Sequence, residues 1–326
     1  MKINKIMRPL SLIGLAITAA FVFTPIMASA DTYPSKPIRL LIGFPPGGSS
    51  DIVARLIAKP LGERLGKPVV VENKPGAGGI IAADFAAKSE PDGYTLILLP
   101  SGHASAAVMK KVLPYQSVND FAWVSTVTTY PMVLAVLPGS RFSSFPELLK
   151  SAKAEPNKFS FSSAGVGTAH HLVGELIMAE SGVNMLHVPF RGGSAPLVEL
   201  LAGRVDMMID TMTFIAPLAK EKRVNILATT APKGNAAGHP IIADSLPNVV
   251  YESWLGIAAP RNTPPAVVEQ LNRELRAIID QPDIKARLIE LGGSPKASSP
   301  AEFRQRVEQD IAKLEKVVTD RKIEKE

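Results

Sequence analysis

Two glycine-rich segments carry the residue types that hold an anion without a metal. Phe44-Pro45-Pro46-Gly47-Gly48-Ser49-Ser50-Asp51 stands between an apolar strand-like run and a helical pattern. Amides at a helix start have no partner within the helix, and the helix dipole favours negative charge there. Gly47 and Gly48 let a ligand approach the backbone closely, while Ser49 and Ser50 supply hydroxyl donors or caps. Gly165-Val166-Gly167-Thr168 repeats the arrangement in the second half of the chain. One such loop serves turn geometry as readily as it serves a ligand. Two of them, opening helices in different parts of the chain, point to a small anion held between two helix N-termini.

Other polar groups give less. Asp206 and Asp210 flank Met207-Met208-Ile209, and on a strand two such carboxylates share a face. Asp206 reads more simply as a strand-entry residue, whereas Asp210 falls at a strand's carboxyl end, where α/β ligands sit. His103 follows a strand end and is a candidate to line a cleft. His170 and His171 are adjacent, so on a helix they diverge by about 100° and cannot chelate one metal. One of them is expected to pack or hydrogen-bond near the second loop, and His187 and His239 read as structural. Arg191-Gly192-Gly193-Ser194 suits either a carboxylate or an ordinary basic turn.

Catalytic and nucleotide motifs are absent. Gly62-Glu63-Arg64-Leu65-Gly66-Lys67-Pro68 has the wrong glycine spacing for a P-loop and Pro where Ser or Thr is needed. Neither Gly76-Ala77-Gly78-Gly79 nor Gly165-Val166-Gly167 continues to a third dinucleotide glycine, and no G-x-S-x-G or H-E-x-x-H segment occurs. With no cysteine, thiolate metal sites and disulfides drop out. No cofactor, metal or catalytic residue is expected.

These loops need a parallel α/β frame. Ile38–Ile42, Val69–Val71 and Thr95–Leu99 read as strands, with a helix over 51–65 and a short Ala-rich one after Gly79. Met132–Val136 is an apolar run, and then the strand–loop–helix pattern begins again. Helices are expected over 145–154, from Leu172 and over 195–202, with strands at 159–161, 186–188, 205–209 and 224–229. The chain ends with the strand Trp254–Ala258, a helix from Pro265 and a final helix aligning Phe303, Val307, Ile311, Leu314 and Val318. We therefore expect a discontinuous first domain, 31–131 plus 250–326, and an inserted second domain, 132–249, with a ligand cleft between them.

Of the 326 residues 36 are basic and 30 acidic, a net charge of +6. Three of the basic residues, Lys2, Lys5 and Arg8, precede an apolar stretch that ends near Ala28-Ser29-Ala30. This reads as a signal peptide, residues 1–30, cleaved after Ala30. The remainder carries only +3. A lone cluster of Lys220, Lys222 and Arg223, interrupted by Glu221 and lacking interleaved aromatics, gives no nucleic-acid surface.

Longer blocks are more specific. Tyr33-Pro34-Ser35-Lys36-Pro37-Ile38-Arg39 with the first loop resembles the opening of the solute receptors of tripartite tricarboxylate transporters, the Bug receptors. Glu72-Asn73-Lys74-Pro75-Gly76-Ala77-Gly78-Gly79, Pro91-Asp92-Gly93-Tyr94, the second loop with His171-Leu172, and His187-Val188-Pro189-Phe190-Arg191-Gly192 continue the resemblance through Trp254 and Pro264. It implies a two-domain type II periplasmic binding protein (Venus flytrap). Such a protein is a monomer that takes a small organic acid and delivers it to the membrane subunits of the transporter. Carried over by position, the ligand-binding residues are Phe44, Gly47, Gly48, Ser49, Ser50, Ser101, Ser163, Gly165, Gly167, Thr168 and Asp210. Asp210 falls where the family commonly has a Phe-Asp-Asn block, here Ile209-Asp210-Thr211. It would repel a purely anionic ligand end and favour an acid bearing an amine, a hydroxyl or a ring N–H. An exported sensor partner and a periplasmic hydrolase or isomerase are the competing readings.

If two domains close on a ligand, the radius of gyration in solution scattering falls at saturating ligand while the circular dichroism of the backbone is unchanged. An identical scattering curve would refute closure.

Overall fold

The short apolar runs become strands because both of their faces are covered. In β1 (Ile38–Ile42) every residue but Arg39 is buried, the pattern of a parallel strand lying between helical layers. The computed structural model describes Met1 and residues 33–190, 194–233, 238–320 and 323–325. Tyr33–Glu326 forms one compact unit. The proposed cleavage site at Ala30 and the Arg191-Gly192-Gly193 turn lie outside the described residues.

The first alternating run continues with α1 (Ser49–Leu65), β2 (Val69–Asn73), α2 (Ile80–Ala87), β3 (Thr95–Pro100) and α3 (Gly102–Met109), then the long β4 (Phe121–Val136). A second run comes after it: α4 (Phe145–Ala154), β5 (Ser160–Ser163), α5 (Ala169–Ser181), β6 (Leu186–Pro189), α6 (Ala195–Leu201), β7 (Met207–Thr211), α7 (Met212–Lys220) and β8 (Asn225–Thr229). The chain closes with β9 (Glu252–Pro260), α8 (Pro265–Ile279), α9 (Pro282–Glu290), β10 (Ser294–Pro295) and α10 (Pro300–Asp320).

The strands run in the order β2-β1-β3-β9-β4-β7-β5-β6, with β8 and β10 also paired to β4. The parallel trio β2-β1-β3 recurs as β6-β5-β7. β9 and β4 are antiparallel to their neighbours and join the two arms. β4 changes partners partway along. Residues Phe121 to Pro131 pair with β9, whereas Met132 onward pairs with β7 and β8.

Side-chain spacing decides which helix faces are covered. α1 buries Val53, Ala54, Ile57, Leu61 and Leu65, a stripe three and four residues apart. Gly66 ends it in the left-handed conformation (φ 72°) that a helix stop favours. α10 begins with a reciprocal cap: the Glu302 amide donates to Ser299 Oγ, and the Ser299 amide donates to the Glu302 carboxylate. From α10, Phe303 and Val307 enter a core with Trp123 of β4 and Trp254 of β9, where Trp254 Nε1 donates to Asp310 at 2.7 Å. Long-range ties are common in this arm, such as the Asn272 side-chain amide of α8 donating to the Val124 carbonyl, 148 positions away.

Three helices and most of β4 depart from the sequence expectation. The first part of β4, Phe121–Pro131, carries buried Ser125, Thr126, Thr128 and Thr129, so no apolar run marks it. Carbonyls of the 294–298 segment accept from three of these hydroxyls, as in Thr126 Oγ1 to the Lys296 carbonyl at 2.6 Å. β7 begins at Met207 rather than Val205, which leaves Asp206 outside the strand. Helices α3, α7 and α9 are short, at eight or nine residues, and no long apolar stripe announces them. Among the described residues no helix is long and apolar enough to cross a membrane.

Gly256, in the middle of β9, has no room for a side chain: a Cβ there would stand 2.3 Å from Phe303 Cζ and 3.0 Å from the Ser125 carbonyl oxygen. Gly256→Ala should therefore cost about 1–3 kcal/mol through overpacking, read as a lower urea midpoint. An unchanged midpoint would show that Phe303 can move aside freely.

Candidate functional site

The carboxyl ends of β1, β3, β5 and β7 all open on one cavity, as expected for the crevice of an open α/β sheet. Each end leads directly or through a loop into a helix, so the starts of α1, α3, α5 and α7 meet around the same space. α1 contributes Gly48, Ser49 and Ser50, with Phe44 from the loop before it. α3 begins beside Ser101, and α5 brings Thr168, Ala169 and His170. Asp210, Thr211 and Phe214 come from β7 and α7.

The α1 start is uncapped. Gly48 is its N-cap residue and offers no side chain, and the Ser49 and Ser50 amides meet no acceptor among the described residues. These donors and the dipole of a 17-residue helix face the cavity. α5 and α7 are capped by their own threonines: Thr168 Oγ1 accepts from the His171 amide and Thr211 Oγ1 from the Phe214 amide. The caps use one amide each and leave the first helical amides available.

A chain of hydroxyls forms the floor. Ser101 Oγ lies 2.6 Å from Ser253 Oγ, and the Tyr251 hydroxyl donates to Ser101 at 3.0 Å. Tyr130, at the β4 partner switch, lines the same cavity beside Ser253 and Ser49. Burial pushes the Tyr130 phenol well above its ordinary value and the Tyr251 phenol up to about 12. Both stay protonated and can donate. The opposite wall holds one carboxylate: Asp210 Oδ1 accepts from the Thr211 amide (2.6 Å), from Thr211 Oγ1 (3.2 Å) and from His170 Nε2 (3.3 Å). No Lys or Arg is among the described lining residues, while Phe44, Pro100, Ala164 and Phe214 make the rest of the wall apolar. Such a lining suits a small organic acid: amides and hydroxyls for the carboxylate and apolar contacts for its carbon body.

The comparisons agree with the geometry. Residues 53–323 match the family described as "Tripartite tricarboxylate transporter family receptor". Protein BugT of Bordetella pertussis is 34% identical over 96% of this chain and 97% of its own length. The chain belongs to the tripartite tricarboxylate transporter receptor family. Among solved structures, periplasmic binding protein BugD superposes with a TM-score of 0.85 at 29% identity, covering 90% of this chain and all of BugD. The R. palustris protein Rpa4515, solved with adipate, does so at 0.85 and 32% identity, over 89% of this chain and 98% of that one. The fold of this receptor is thus that of a two-domain periplasmic binding protein, α/β with its cleft between the arms.

The sequence-derived residues divide into two sets in the receptor. Phe44, Gly48, Ser49, Ser50, Ser101, Thr168 and Asp210 line the cavity, whereas Gly47, Ser163, Gly165 and Gly167 stand behind it and shape the loops. The Gly47 amide donates to Asp51 at 3.0 Å. Burial pushes the Asp51 carboxyl up, but hydrogen bonds from Arg55, Gly47 and Asn73 outweigh it and hold the group below its ordinary value. Ser163 Oγ accepts from the Gly165 amide and lies 2.6 Å from His187 Nε2. Gly165 (φ 130°) adopts a backbone that other residues avoid, and a Cβ there would meet the Phe190 carbonyl oxygen at 3.0 Å. His171 accepts from the Gly167 amide and stacks on His187 with centroids 4.1 Å apart; both histidines serve the second loop. Asp206 accepts from the Ser160 amide and hydroxyl at the far end of β5, so it does not pair with Asp210.

Sequence reasoning missed Tyr130, Ser253 and the role of His170. A tyrosine and a serine on antiparallel strands carry no loop signature. His170 is visible only through its contact with Asp210.

His103 does not line the cavity. It packs among Tyr115, Phe121 and Trp123, and its Nε2 lies 2.7 Å from the Ser117 carbonyl oxygen. Burial outweighs that hydrogen bond and pulls its pKa from 6.5 to about 4. Between those values the unfolded chain binds a proton that the folded chain refuses, so stability falls as pH falls through this window, by about 3 kcal/mol. His103→Gln should flatten the urea-midpoint profile between pH 6.5 and 4; an unchanged slope would show that another group carries it.

Proposed function

We propose that this receptor binds a small carboxylate between its arms in the periplasm and delivers it to the membrane subunits of a tripartite tricarboxylate transporter. The carrying observation is the uncapped α1 start, whose free amides face a cavity floored by protonated hydroxyls. A buried carboxylate gains there the charge-assisted hydrogen bonds that it loses from water. The adipate bound by Rpa4515, a receptor of the same fold, supports a linear organic acid as the ligand class. Phe44, Gly48, Ser49, Ser50, Ser101, Thr168 and Asp210 are assigned as ligand contacts. Gly47, Ser163, Gly165 and Gly167 are assigned as the residues that set the two loops.

The arms correspond to two domains, 31–131 plus 250–326 and 132–249. The change of β4 partner between Pro131 and Met132 supports this division. Residues 1–30 are assigned as a leader removed after Ala30, and the working form as a monomer. The protein binds rather than transforms its ligand. Ser163 and His187 stand at nucleophile–base distance, but Ser163 is fully buried outside the cavity lining, so no substrate reaches it.

Calorimetry with adipate, shorter dicarboxylates and hydroxy acids tests this reading. At least one acid should bind at a single site, and its fully methylated ester at least tenfold more weakly, since an ester cannot accept charge-assisted hydrogen bonds of about 1.5–3 kcal/mol each. Equal affinity of acid and ester would remove the amide site from the account.

A further inference from the structure

The cavity holds an imidazole–carboxylate pair beside its amides. Asp210 is the one carboxylate among the described lining residues, and His170 is the one imidazole. Their contact, Nε2 to Oδ1 at 3.3 Å, fixes the imidazole proton toward Asp210. Asp210 Oδ1 is fully engaged, whereas Oδ2 meets no donor among the described residues. His170 Nδ1 is buried and has no partner either. With His170 neutral the pair carries one negative charge. With His170 protonated it carries none.

That difference decides which ligand end can face it. A hydroxyl or an amine donates to the charged pair directly. A second carboxylate would stand in a desolvated space beside Asp210, where like charges strongly oppose each other. Among the described lining residues nothing else relieves this. Tyr130 on β4 is neutral and kept so by burial, Phe214 of α7 and Phe44 of the first loop are apolar, and α1 presents neutral serines. On α5 itself, Glu175 is paired with His171. Lys110 approaches Gly167, which does not line the cavity.

We propose that the His170–Asp210 pair takes up one proton from solvent when the ligand carries a second carboxylate, and none when the ligand carries a neutral group at that end. The bound complex then balances as receptor plus dianion plus one proton, the proton residing on the coupled pair. The proposal rests on the carboxylate reading above and adds the rule by which the site sorts dicarboxylates from hydroxy and amino acids.

The test is calorimetry in phosphate and in Tris, whose different ionisation enthalpies report protons exchanged on binding. The probes are succinate, glutarate and adipate with their monomethyl esters, between pH 5.8 and 8. We expect a diacid to bind with uptake of close to one proton at pH 8 and more tightly as pH falls, and its monoester to bind with none. His170→Gln should abolish the uptake and lower the diacid-to-monoester affinity ratio at least tenfold at pH 6. Asp210→Asn should let the diacid bind without proton uptake and without pH dependence. Diacid binding with no proton exchange in the unaltered receptor would falsify the proposal, as would monoesters binding while no diacid does at any pH; both leave the carboxylate reading intact. If no acid of either kind binds, the carboxylate reading itself falls, and this inference with it.

Discussion

At the amino end of an α-helix the first amides have nothing behind them to bond, and in this protein four such ends meet in one place. Water satisfies them only while the space stays open; once the arms enclose it, an unpaired donor is a cost of about 1–3 kcal/mol. An anion seated there would remove that cost, and this demand organises the surroundings. The parallel strands end together because their helices must start together. The floor is hydroxyl because hydroxyls reorient toward whatever the amides hold. Backbone dipoles supply partial positive charge there, and no Lys or Arg stands among the described lining residues.

The hydrogen-bonding surroundings of the two loops differ in kind, although their sequences look alike. The first is held by a carboxylate, Asp51, that collects Gly47, Arg55 and Asn73. The second is held by stacked imidazoles and the Ser163 hydroxyl. The α1 end is uncapped, whereas Thr168 occupies part of the α5 end. The first loop is therefore the stronger donor pole, and the His170–Asp210 pair stands at another wall of the same cavity.

Much of this was legible from residues. Alternation of apolar runs with helical spacing gave the parallel frame, and glycine followed by Ser or Thr located both loops, because few other residues can make such a turn. What escaped depended on contacts between distant segments. Ser125, Thr126 and Thr128 look like loop residues until the 294–298 segment supplies their acceptors. His103 after a strand end resembles a cleft residue, yet three aromatic rings enclose it. Tyr130 and Ser253 approach the cavity from the antiparallel strands, whose registry no local pattern encodes. Pairing of His170 with Asp210 spans 40 positions and two elements.

The position of β9 between β3 and β4 also bears on how the molecule is assembled during synthesis. The first arm lacks a central strand and its covering helices until the carboxyl-terminal quarter of the chain has been made, as the 148-residue span from Asn272 to Val124 illustrates. Contacts of such separation close late and slowly, since a long loop must be ordered before it is rewarded. The second arm is contiguous apart from β4 and is under no such delay. Its strands can pair while the first arm still waits for β9 and the helices that follow it.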